Sequence, residues 1–117
     1  MTSYKELIVW QKSFKLAVLV CQITRNFPKD ELYGLVSQLR RCAVSIPSNI
    51  AEGYSRRRKL EFLQFLRIAY GSAAELETQL LLSKELGYLS GKSYQTLNTL
   101  LVEVLKMLGS LIVKVKS

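Results

Sequence analysis

A chain of 117 residues fits one domain, long enough for a core yet short enough that roughly 30% or more of its unfolded surface stays in water if it stands alone. With 49% hydrophobic and 22% charged residues, two prolines and six glycines, disordered and low-complexity classes are excluded. Seventeen Lys and Arg against nine Asp and Glu leave a net charge of +8, which draws the molecule toward polyanions, whether nucleic acid or an anionic membrane surface.

The first predicted helix opens with Ser3 and Glu6 in capping-box spacing. Leu7, Trp10, Phe14, Ala17 or Val18 and Cys21 then recur every three or four residues, and Asn26, Phe27 and Pro28 supply the stop. In the second segment Asp30 is the candidate cap, and Leu32, Leu35, Leu39, Cys42, Ile46 and Ile50 form one stripe that crosses Pro47 without losing phase. Proline inside a helix removes the hydrogen bond to the carbonyl of Ala43 and crowds that turn, at about 3 kcal/mol for a straight helix. Because the phase survives, the pattern predicts one helix kinked at Pro47, with Ser45, Ser48 or Asn49 supplying polar partners.

The third and longest segment runs from about Lys59 to Leu86 on Phe62, Leu66, Ala69, Ala73, Leu76 and Leu80, with Gly87 placed as its left-handed cap. The fourth follows Ser90, a candidate cap, and uses Leu97, Leu101, Val104, Leu108, Leu111 and Val115. Strand-like alternation is absent and the connections are short. The expected fold is therefore all-α, residues 1–117 forming a single antiparallel up-and-down four-helix bundle. Several segments carry a second apolar strip, such as Ile8, Leu19 and Ile23 or Leu100, Leu105 and Ile112. A bundle helix needs one buried stripe, so the surplus predicts self-association.

Chemistry is constrained by what is missing. Histidine is absent, which removes the usual neutral-pH general base and the commonest transition-metal ligand. Cys21 and Cys42 lack C-x-x-C spacing and sit among apolar residues, as buried thiols of a reducing cytoplasm do. There is no cleavable leader pattern and no run of about 18 apolar residues, so the expectation is a cytoplasmic protein without a membrane partner. An enzyme using Glu52 and Glu61, or Glu75 and Glu77, is disfavoured: the latter two point to different helix faces, and no metal-ligand set or phosphate loop is visible. No cofactor is expected.

Arg56, Arg57, Arg58 and Lys59 are four consecutive cations that cannot all be braced internally. With Arg40 and Arg41 they are the candidate contacts to nucleic-acid phosphates, since the guanidinium fork matches phosphate geometry. Aromatic partners are sparse, Tyr54 foremost, so sequence readout of bases is not expected. A hairpin folded about residues 55 to 59 pairs positions whose numbers add to roughly 114. This sets Arg41 near Glu75 as a structural brace, and Glu52 near Glu61 and Lys59. The competing reading is an adaptor whose surface docks a protein.

The runs L7-I8-V9-W10-Q11-K12, F27-P28-K29-D30-E31-L32-Y33-G34-L35, S45-I46-P47-S48-N49-I50-A51-E52-G53 and I68-A69-Y70-G71-S72-A73-A74-E75-L76-E77 together resemble the 23S rRNA intervening-sequence proteins. The resemblance implies a small bacterial protein, sometimes encoded within insertions in large-subunit rRNA genes, that assembles as a barrel-like homopentamer of four-helix protomers. That family is also similar to the accessory variability determinant of diversity-generating retroelements, whose basic pentamer binds nucleic acid and associates with a reverse transcriptase. Cys42, where the family usually has alanine, and the dense basic run depart from its pattern.

Overall fold

The computed structural model describes residues 3–117. Four long helices, α1 (Ile8–Ile23), α2 (Ser37–Ser55), α3 (Lys59–Glu85) and α4 (Gly91–Lys116), form a body of 43 × 23 × 20 Å, and no strand occurs among the described residues. Each helix packs on the next, and α4 returns against α1, so one core is enclosed on all sides.

The start of α1 differs from expectation. Ser3 Oγ accepts from the amide of Lys5, but the turn it caps, Tyr4–Glu6, is a short 3-10 turn, and extended backbone at Leu7 (ψ 124°) delays the α-helix to Ile8. The buried face also differs. Val9, Ser13, Leu16, Ala17 and Val20 face the core, whereas Phe14 and Val18 are 50% and 41% exposed. Ser13 donates to the carbonyl of Trp10 and Thr24 to that of Val20, so these hydroxyls are satisfied by their own helix and can be buried.

Between α1 and α2 the chain makes two 3-10 turns (Thr24–Asn26 and Lys29–Glu31) and a π-helical turn (Leu32–Val36). Glu31, not Asp30, accepts from the amide of Leu35 at 3.4 Å. The non-helical residue is Gly34 (φ −111°, ψ −108°), whereas α2 is one helix through Pro47. Near the proline, Asn49 Nδ2 donates to the Ser45 carbonyl at 2.8 Å and to Ser45 Oγ at 2.9 Å.

The stripes of α2, α3 and α4 fall largely where periodicity puts them: Leu39, Cys42, Ile46 and Ile50, then Leu66, Ala69, Ala73, Leu76 and Leu80, then Leu97, Leu101, Val104 and Leu108 are all buried. Leu32 departs from the pattern and is exposed at the start of the π-helical turn, whereas Val36 at its end is buried. Gly87 closes α3 at φ 81°, with its amide on the Lys84 carbonyl and that of Tyr88 on the Ser83 carbonyl, and Ser90 Oγ accepts from the amide of Ser93 to start α4. Among the described residues α4 alone is long and apolar enough to cross a bilayer; here its leucine stripe lies in the bundle core.

Candidate functional site

The basic run is the link between α2 and α3. Arg56 prolongs the last turn of α2, Arg57 reverses the chain in the left-handed region at φ 62°, and Arg58 is extended (φ −126°, ψ 131°) before α3 begins at Lys59. Four consecutive cations thus acquire four different environments.

Arg56 is a brace. Its guanidinium reaches Glu52 at 2.8 Å and Glu61 at 3.3 Å and lies 5.2 Å above the centre of the Phe65 ring. The hydrogen bond to Glu52, opposed by desolvation and helped by the charges of Glu52 and Glu61, raises its pKa above the ordinary arginine value. It also bridges Glu52 and Glu61, one of the two carboxylate pairs considered from the sequence.

Arg57, Arg58 and Lys59 are exposed. The Arg57 guanidinium sits 5.6 Å over the Tyr54 ring, and Tyr54 meets Phe62 edge-on at 5.7 Å. Arg58 approaches Glu61 only at 3.7 Å and its side chain is 81% exposed. Lys59 Nζ donates to the main-chain oxygen of Ser117 at 3.4 Å. Tyr54, Phe62 and the three cations line a cleft of about 180 Å³.

The Lys59 to Ser117 contact brings the last turn of α4, with exposed Lys114 and Lys116, to the same end of the molecule. Sequence reasoning missed these two lysines. The signal was available in the expected up-and-down order, in which the end of the fourth helix lies beside the start of the third.

Arg40 is not brought together with the run. It lies 16 positions before Arg56 on α2, about 24 Å along a helix axis. Its Nε donates to Thr24 Oγ1 at 3.0 Å and its terminal nitrogen to the Cys21 carbonyl at 3.4 Å, so it ties α2 to the end of α1. Arg41 is exposed, and no ion pair joins it to Glu75. The pairs seen across α2 and α3 are Gln38 with Gln79 and Ser45 with Ser72, three positions beyond the expected register, so Cys42 takes the place opposite Glu75. Burial first, then hydrogen bonding to Glu75 and its charge, pushes the Cys42 thiol up to about 11, so it stays protonated.

Two apolar grooves lie on the flanks. Trp10 and Phe14 stack at 5.1 Å and, with Val18, Val44 and Pro47, line a groove of about 470 Å³ between α1 and α2. Leu7, Ile8, Met107 and Leu111, edged by Lys106 and Lys114, line another of about 500 Å³ between the start of α1 and the end of α4.

The family model described as 23S rRNA-intervening sequence protein matches residues 5–110. The chain belongs to that family. A crystal structure of a protein of unknown function from the S23 ribosomal protein family of Bacteroides thetaiotaomicron VPI-5482 superposes with a TM-score of 0.81 at 28% identity, covering 90% of this chain and 95% of that one. No curated protein matches. Within this 23S rRNA-intervening sequence protein, the stretch from Ser45 to Gly53 serves three neighbours at once. Ile46 and Ile50 fill the core, Pro47 lines the groove against α1, and Ser45 and Gly53 face α3.

Proposed function

We propose that this chain is a non-enzymatic, oligomeric, cytoplasmic nucleic-acid-binding protein that contacts RNA or DNA phosphates with low sequence specificity. One observation carries the reading: Arg57, Arg58 and Lys59 are exposed at the same end of the bundle as Lys114 and Lys116, in a chain of net charge +8. Such a surface neutralises phosphates without reading base edges, so its affinity falls steeply with salt.

In this reading the protomer is an antiparallel up-and-down bundle, supported by the contact of Lys59 with Ser117 and that of Tyr88 with Glu31. A bend at Pro47 tilts the end that carries the basic run. Self-association, to the homopentamer that the family resemblance implies, covers the apolar grooves and multiplies the charge.

Filter binding of an RNA oligomer across a salt series tests this. Replacing Arg57, Arg58 and Lys59 together by Gln should abolish most binding and reduce the log–log salt slope by about 0.7 to 0.9 for each phosphate no longer neutralised. Absence of wild-type binding at about 50 mM salt would instead favour an adaptor that docks a protein, such as a reverse transcriptase, a reading supported by the same apolar grooves.

A further inference from the structure

The cleft beside the basic run holds more than charge. Tyr54 and Phe62 form its aromatic wall, and the Arg57 guanidinium lies as a second layer 5.6 Å from the Tyr54 ring centre. Arg58 and Lys59 continue from this layer toward the start of α3. At about 180 Å³ the cleft is smaller than the ~300 to 1,000 Å³ of ordinary small-molecule pockets, and suits one flat ring and its phosphate.

The backbone at residue 57 adds a separate argument. A φ of 62° is where glycine is at ease and a side chain with Cβ is not. The turn therefore does not call for arginine, and one thing arginine brings is the layer on Tyr54. Guanidinium planes and aromatic rings are the surfaces on which unpaired bases stack, whereas bases in a duplex already have both faces covered.

We propose that this cleft takes an unpaired nucleotide of single-stranded nucleic acid, its base stacked on the Arg57–Tyr54 layer and its phosphates on Arg58 and Lys59. The inference rests on the nucleic-acid reading above and narrows it to a substrate class. Duplex reaches only the cations, so its binding is weaker and indifferent to the aromatic wall.

The test compares the full chain with Arg57→Lys, Arg57→Gly and Tyr54→Leu, using a mixed-sequence RNA dodecamer, single-stranded and annealed to its complement, across a salt series. Arg57→Lys keeps the charge and removes the plane. It should weaken single-strand binding roughly tenfold with the salt slope unchanged, and leave duplex binding within about twofold. Tyr54→Leu should show the same selective loss. Arg57→Gly, which suits the φ of 62°, should keep wild-type helicity yet lose single-strand binding, which separates the side chain's role from that of the turn. Equal affinity for the two forms, a neutral Arg57→Lys, or a loss shared equally by single strand and duplex overturns the stacking site and leaves phosphate binding standing. No binding of either form at about 50 mM salt overturns both.

Discussion

The hydroxyl oxygens of Ser45 on α2 and Ser72 on α3 lie 2.9 Å apart, half-buried in the seam between the two helices. Asn49 donates to the same Ser45 hydroxyl, one turn further along α2, and Gln38 meets Gln79 two turns back. These polar pairs make the seam directional. Sliding α3 by one turn would leave their donors and acceptors facing apolar neighbours, at about 1–3 kcal/mol for each buried group left unmatched. The seam thus fixes where α3 starts relative to the end of α2, and with it the position of the basic link.

Gly53 sits at the tight end of this seam. A Cβ built there lies 2.6 Å from Phe65 Cβ and 3.2 Å from the Phe62 ring, with the nearest atom too close to its own backbone to swing away. Gly53→Ala should therefore destabilise the protein by about 1–3 kcal/mol, despite alanine's better helix propensity. Chemical denaturation measures this, and an unchanged midpoint would show that α2 and α3 part more easily than the packing implies.

Arg40 and Arg57 should respond oppositely to substitution. Arg40→Gln removes the hydrogen bonds to Thr24 and Cys21 that tie α2 to α1, so it should cost about 1–2 kcal/mol of stability while salt-dependent binding of the folded protein changes little. Arg57→Gln should lower the nucleic-acid affinity of the folded protein. Equal loss of affinity in the two variants would place Arg40 on the binding surface after all.

The caps at Ser90 and Gly87 were legible because each is a local signal, a hydroxyl before a helix and a glycine after one. The face of α1 was not. Its outer strip of Trp10, Phe14 and Val18 is greasier than the buried strip, which includes Ser13, and periodicity has no means of choosing between adjacent strips when hydroxyls can bond their own helix. The α2–α3 register was misjudged for a different reason. An extended residue such as Arg58 advances the chain by about as much as two helical residues, so a non-helical link displaces α3 along its axis. The position of the basic run was legible, whereas the division of labour among its members was not, because Arg56 finds Glu61 only across the turn.

Stability at alkaline pH should carry the signature of Cys42. Its thiol pKa rises on folding from 9.0 to about 11, so the folded state keeps a proton that the unfolded state releases. The stabilisation is complete below about pH 9 and is lost as the pH climbs toward 11, a change of roughly 1–3 kcal/mol. Tyr88, whose pKa is raised first by its hydrogen bond to Glu31, adds a loss of the same sign. The difference between wild type and Cys42→Ala isolates the thiol: the two denaturation profiles should converge as pH rises from 9 to 11, and parallel profiles would exclude the thiol as their cause.

The groove between α1 and α2 predicts how assembly should fail. Phe14 and Val44 are 50% and 47% exposed on its walls, so replacing either by glutamate costs the isolated protomer little. In an oligomer that covers this groove, the same change buries an unpaired carboxylate against apolar surface, which costs several kcal/mol. Light scattering of Phe14→Glu and Val44→Glu should then report a 13.3 kDa species with wild-type helicity, while the unmodified chain runs as a multiple of that mass. Unmodified protein that stays at the monomer mass at micromolar concentration would remove self-association from the proposed function, and variants that remain oligomeric would move the interface to the groove between α1 and α4.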